Sequence, residues 1–111
     1  MTPVEAESTQ RPVMTLLDLL SRRWTLRILW ELRGGPLTSR ALRAACDDAS
    51  PTVLQARLSD LRAAQLVELQ PRAGYELTSW GREFLMAFMP LYGFAERWAD
   101  RTDGAAPSRP R

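Results

Sequence analysis

Ser50 and Pro51 are followed by Leu54, Leu58 and Leu61 at i, i+4 and i+7, and from Leu66 the apolar spacing drops to two. Serine accepts from free amides at a helix start and proline fits the first helical position, so a helix is predicted from Pro51 to Ala64. Val67 and Leu69 then alternate with polar neighbours, Pro71 to Gly74 supply a turn, and Tyr75 and Leu77 alternate again. That pattern predicts a small hairpin joined directly to the end of the helix. A chain that changes period this abruptly has few folds open to it.

Upstream, Pro12 can occupy a first turn, and Val13, Leu16, Leu17 and Leu20 share one stripe of a short first helix. A second helix is expected over Arg23 to Arg33. It is apolar around much of its girth (Trp24, Leu26, Ile28, Leu29, Leu32) and is stopped by Gly34, Gly35 and Pro36. Leu37 suggests a short strand. Either Thr38 or Ser39 can cap a third helix that runs to about Cys46 with Ala41, Leu42 and Ala45 inward, before a turn at Asp47, Asp48 and Ala49. Thr78 can cap a last helical segment in which Trp80, Phe84, Phe88, Tyr92, Ala95 and Trp98 recur at spacings of four and three, and Pro90 should kink or split it. The expected fold is mainly α with a small β-hairpin, a winged helix-turn-helix domain over residues 12–101 whose N- and C-terminal helices, by the family resemblance given below, are dimerisation helices. The polar stretch 1–11 and the Pro-rich stretch 102–111 are expected to be disordered tails.

Composition removes other classes. The 111 residues, 45% of them hydrophobic, suffice for one domain. The acidic start does not look like a secretory signal, and Leu85 to Ala95 is short and broken by Pro90 and Gly93, so a cytoplasmic protein with no membrane partner is expected. Cys46 is the single cysteine and histidine is absent, so one chain offers no disulfide, no Cys-His pair and no usual zinc ligand set. Neither an enzyme nor a bound cofactor or metal is expected. The 15 basic residues are all arginine, suited to phosphate oxygens and base edges, but 13 acidic groups leave a balance of only +2. Net charge therefore does not decide whether nucleic acid is bound.

Placement of side chains says more. In a helix-turn-helix followed by a hairpin, the second helix enters the major groove and the hairpin can reach a neighbouring backbone or minor groove. The outward face of that helix is Thr52, Gln55, Ala56, Ser59 and Ala63, flanked by Arg62. Gln55 can pair with adenine, Thr52 and Ser59 can bond to base or phosphate, and Ala56 can pack on a thymine methyl. Arg40, Arg43, Arg62 and Arg72 are candidate contacts that position the protein on phosphates, and Ser39 is a further candidate DNA contact. Arg57 lies nearer the buried stripe, where it either braces the third helix through a carboxylate or touches DNA. Cys46 is either a small core residue or a sensor, and no basic neighbour in sequence activates it. Trp30 shares a helix face with Arg23 and Arg27; it packs on a neighbouring helix or a partner subunit, or lines a pocket for an unknown small-molecule effector. The aromatic stripe of the last helix needs a second surface to cover it, and a symmetric partner supplies one.

The strings PVMTLLDLLSRRWTLRILWELRGGP, SPTVLQARLSDLRAAQLVE and YELTSWGREFL resemble the HxlR-type winged-helix regulators, relatives of the MarR group, over nearly all of Pro12 to Leu85. The resemblance implies a dimeric bacterial repressor or activator that binds double-stranded DNA. It places the recognition helix at Pro51 to Ala64, a backbone-contacting arginine at Arg23, and the dimer interface on the first and last helices. The interface residues expected there are Leu16, Leu17, Leu20, Phe84, Phe88, Tyr92 and Trp98. Where many members carry a sensing cysteine before the first Pro-Val, this chain has Arg11; its wing is shorter, and its recognition face is less basic. The competing expectation is a winged-helix module for protein contacts that has lost DNA binding.

Overall fold

The computed structural model describes residues 3–47 and 49–102, with side chains from Arg11 onward. Five helices and one hairpin follow in order: α1 (Pro3–Leu20), α2 (Thr25–Glu31) with a 3₁₀ turn (Leu32–Gly34), α3 (Ser39–Ala45), α4 (Pro51–Ala63), β1 (Val67–Gln70), β2 (Gly74–Leu77) and α5 (Ser79–Thr102). The mainly helical, winged helix-turn-helix fold expected from the sequence is the one observed.

The core lies between α2, α3, α4 and the hairpin. Ile28, Leu29 and Leu32 pack with Leu42, Leu54, Leu58 and Leu61, all at most 2% exposed, and Val67, Tyr75, Leu77 and Leu85 close the cluster. Each such side chain contributes about 1.5–3 kcal/mol by leaving water. The i, i+4, i+7 leucines of α4 therefore hold down one face of that helix and leave the opposite face to solvent.

Two caps work as expected. The Thr38 hydroxyl accepts from Ala41 N at 3.1 Å, and Thr78 Oγ1 accepts from Gly81 N at 3.0 Å while donating to the Gln65 carbonyl at 2.6 Å. Thr38, not Ser39, is thus the cap of α3. Ser50 occupies the N-cap position of α4, but its side chain makes no capping bond; the start of that helix relies on Pro51, whose missing N–H needs no partner.

The strands pair antiparallel with Val67 opposite Leu77 and Leu69 opposite Tyr75. Leu37 adds a single bridge to Tyr75, the short strand anticipated there. Gly74 has φ +102°, and a Cβ there would overlap the Leu37 carbonyl, so the tight end of the wing requires glycine.

Several expectations are corrected. α1 begins at Pro3, not Pro12, so residues 3–11 are helical where a disordered tail was expected. The expected C-terminal tail lies outside the described residues beyond Thr102. α2 starts at Thr25 because Trp24 is left-handed, φ 75°, which leaves Arg23 in the preceding turn. Ala41 is exposed, because the short α3 turns only Leu42 fully inward. Leu69 is 45% exposed: β1 has β2 alone as a neighbour, and its burial ends at Val67. α5 is continuous through Pro90, neither split nor ended by it.

Candidate nucleic-acid interface

α3 and α4 are joined by a turn that three arginine bonds hold in place. Arg27 on α2 donates to the Ala45 carbonyl at 2.7 Å and pairs with Glu31 at 3.4 Å and Asp47 at 3.5 Å, so α2 is fastened to the end of α3. Arg43 Nε donates to the Ala49 carbonyl at 3.1 Å. This bond directs Arg43, expected at phosphate, toward the turn. The angle between the two helices is set by these bonds together with the leucine core.

With α4 pinned through Leu54, Leu58 and Leu61, the residues Thr52, Gln55, Ala56, Ser59, Arg62 and Ala63 are all exposed on one connected face. Ser39 and Arg40 are exposed at the start of α3, and Arg72 is exposed at the tip of the wing with φ 73°. Arg40, Arg62 and Arg72 have no carboxylate partner among the described residues, so their charge is available to an incoming anion. Arg23 is exposed as well, its guanidinium 5.2 Å from the Trp24 ring centre in a cation–π contact.

Arg57 neither braces α3 nor points freely outward. It lies 3.4 Å from Asp60 within α4, and Asp60 in turn pairs with Arg22 at 2.9 Å. Asp18 completes the chain of charges at 3.7 Å from Arg22, linking the end of α1 to the recognition helix. Sequence reasoning missed Arg27, Asp60 and Tyr75, whose hydroxyl donates to Gln55 Oε1 at 3.3 Å. Partners 20 residues apart have no local pattern that would announce them.

Cys46 is fully buried, and burial pushes its thiol up from 9.0 to about 11, against the lowering effect of Arg27. The protonated thiol is a poor nucleophile, which matches the core role and not the sensing one. Diamide is expected to leave DNA retention unchanged in a gel-shift; a reductant-reversible loss that vanishes in Cys46→Ser would show the thiol to be reactive. The folded thiol keeps its proton where the unfolded one releases it, so stability should fall as pH rises from about 9 toward 11. Cys46→Ala should flatten that slope.

Trp30 packs on α5, its ring 4.5 Å from Tyr92, with the Arg33 guanidinium 4.0 Å from its centre. Its remaining edge joins Arg33, Arg82, Leu85, Met86 and Met89 around a groove of about 380 Å³. Phe84, Phe88 and Tyr92 form a ladder of ring contacts at 5.5 and 5.3 Å. The aromatic stripe is thus half-covered by its own chain, while Leu16, Leu17 and Trp98 remain exposed and Leu20 is half-buried. Leu91 and Phe94, which the four-three spacing passed over, are also exposed.

A helix with an exposed polar face that includes Arg62, preceded by a short helix and turn and followed by a two-stranded wing, defines a winged helix-turn-helix regulator. The sequence profile of the HxlR-like helix-turn-helix family matches residues 19–103, and the chain belongs to that family. It is 32% identical over 89 residues to the uncharacterised helix-turn-helix regulator YvaP of Bacillus subtilis, covering 75% of this chain and 79% of that one. It also resembles the crystal structure of a possible HxlR family factor from Thermoplasma volcanium, with TM-score 0.68 and 29% identity over 78% of this chain and 82% of that one. A structure described as a MarR-family regulator from Enterococcus faecalis gives TM-score 0.72 and 28% identity, covering 84% and 90%. The protein is therefore a transcriptional regulator with a helix-turn-helix DNA-binding fold, and its family and curated relatives are regulators rather than enzymes. No helix among the described residues is long and apolar enough to cross a membrane.

Proposed function

We propose that this regulator works in the cytoplasm as a homodimer and represses transcription by occupying an inverted-repeat operator. The observation that carries the reading is the outward face of α4, where Thr52, Gln55, Ala56, Ser59 and Arg62 are exposed together, with Arg40 on α3 and Arg72 on the wing also exposed and, among the described residues, without a carboxylate partner. Short polar side chains suit base edges, and arginines at the rim suit phosphates. Repression by occupancy needs no surface beyond this face and a dimer contact. Two recognition helices related by a two-fold axis would meet successive major grooves about 34–36 Å apart, which calls for a palindrome.

Dimerisation draws its support from apolar groups left uncovered. Val13, Met14 and Leu17 on α1 and Leu91, Phe94 and Trp98 on α5 are each between 46% and 62% exposed. On α5 those three fall within about 60° of one another at about 100° per residue, a single unpartnered face.

Selection of genomic fragments by the purified protein tests the proposal: a recovered palindrome supports it, while binding without sequence preference favours a protein-contact module. Gln55→Ala should relax preference at one base position per half-site, at about 1–3 kcal/mol. Arg62→Ala should weaken all sequences alike and lower the slope of log affinity against log salt by about one. Unchanged discrimination by the Gln55 variant would place base reading elsewhere.

A further inference from the structure

The hydroxyl of Tyr75 donates to Oε1 of Gln55 at 3.3 Å, tying the root of the wing to the middle of the recognition face. Tyr75 is itself a fixed point. Its backbone exchanges bonds of 2.9 and 2.8 Å with Leu37, and it faces Leu69 across the hairpin. The residue is only 8% exposed, and its hydroxyl is directed to the Gln55 side chain. Of the two ends of the Gln55 carboxamide, only the carbonyl can accept the phenolic hydrogen.

Gln55 is exposed, with Thr52 one turn before it and Ser59 one turn after it on the same face. Reading adenine requires both ends of a glutamine side chain: Oε1 accepts from N6–H while Nε2 donates to N7. Guanine instead presents two acceptors, O6 and N7, which a carboxamide can meet with its two N–H groups.

We propose that Tyr75 determines the base preference of Gln55: by drawing the carbonyl toward the wing it turns the NH₂ to the groove, so that Gln55 selects guanine over adenine. Tyr75 is a positioning residue and touches no base. The proposal rests on the DNA-binding reading above and names the base that this face selects. It also reverses the adenine preference expected of an unrestrained glutamine.

Site selection from a random duplex library, using the full chain as wild type, Tyr75→Phe, Gln55→Ala and the double variant, tests it. The wild type should enrich guanine over adenine by about tenfold at one position of each half-site. Tyr75→Phe keeps the ring in the core but frees the carbonyl, and should bring that ratio to unity or reverse it while leaving other positions unchanged. Gln55→Ala and the double variant should be equally indifferent at that position, because Tyr75 acts only through Gln55. A destabilised wing would instead weaken all positions together, and a thermal melt of Tyr75→Phe separates that outcome. Enrichment of adenine by the wild type, a wild-type profile in Tyr75→Phe, or an equal loss at every position overturns the proposal. If the wild type selects no sequence at all, the DNA-binding reading falls and takes this inference with it.

Discussion

Gly81→Ala is expected to destabilise the domain by on the order of 3–5 kcal/mol, lowering its melting temperature by more than about 12 °C. A Cβ at Gly81 would overlap the carbonyl oxygen of Leu66 and meet the Leu77 side chain at 3.1 Å. That carbonyl is backbone and accepts from Thr78 N at 3.1 Å, so it cannot move without opening the joint between hairpin and α5. The same joint carries the Thr78 hydroxyl bonds to Gln65 and Gly81, and Leu85 is buried one turn further along. In an ordinary exposed helix the substitution would stabilise, since alanine is the better helix former by about 1 kcal/mol. The sign of the effect therefore separates close packing from propensity, and a melt within a few degrees of wild type would refute the packing explanation.

Trp98→Glu is expected to weaken dimerisation by at least about 2 kcal/mol, roughly 30-fold, and to remove most specific DNA binding. Trp98 is 46% exposed within the chain and shares a face with Leu91 and Phe94, so its replacement leaves the core intact. Phe88 is a less clean probe, because it is half-buried between Phe84 and Tyr92 of its own chain. A carboxylate in a symmetric apolar contact meets its own copy or its neighbourhood without a partner, and desolvation opposes assembly. One half-site offers too little affinity to compensate. Sedimentation at micromolar concentration, paired with a melt, gives the answer: a monomeric wild type, or a variant that assembles equally well, would remove this face from the interface.

The elements legible in advance are those written in nearest neighbours. Pro51 with Leu54, Leu58 and Leu61 foretold α4 almost to its ends, Thr38 and Thr78 foretold two caps, and the alternation about Gly74 foretold the hairpin. The outward face of α4 followed from its buried face by geometry alone. Four of the residues expected to touch bases (Thr52, Gln55, Ala56 and Ser59) are exposed on it.

Departures cluster where a local preference met a tertiary demand. Trp24 takes a left-handed backbone, disfavoured for a large side chain, while its ring packs against the core. Leu69 fits the strand pattern, yet a two-stranded wing has nothing to lay over it. The aromatic period of α5 marks one continuous stripe, but Trp30 on α2 covers Tyr92, while Trp80 and Trp98 at the two ends of the stripe and Met86, Met89, Leu91 and Phe94 beside it stay exposed.

By itself, then, the sequence determined the order of elements and the inward face of α4, because these follow from spacing and from residue types along a few turns, and the class of regulator through the resemblance its motifs carry. Only the tertiary structure decided how those parts are aimed. Arg27 and Arg43 hold the turn before α4, Asp60 joins that helix to Arg22, and Tyr75 donates to the carboxamide oxygen of Gln55. Hydrogen bonds and ion pairs of this kind join groups distant in sequence, and their geometry exists only after the leucine core has brought the elements together.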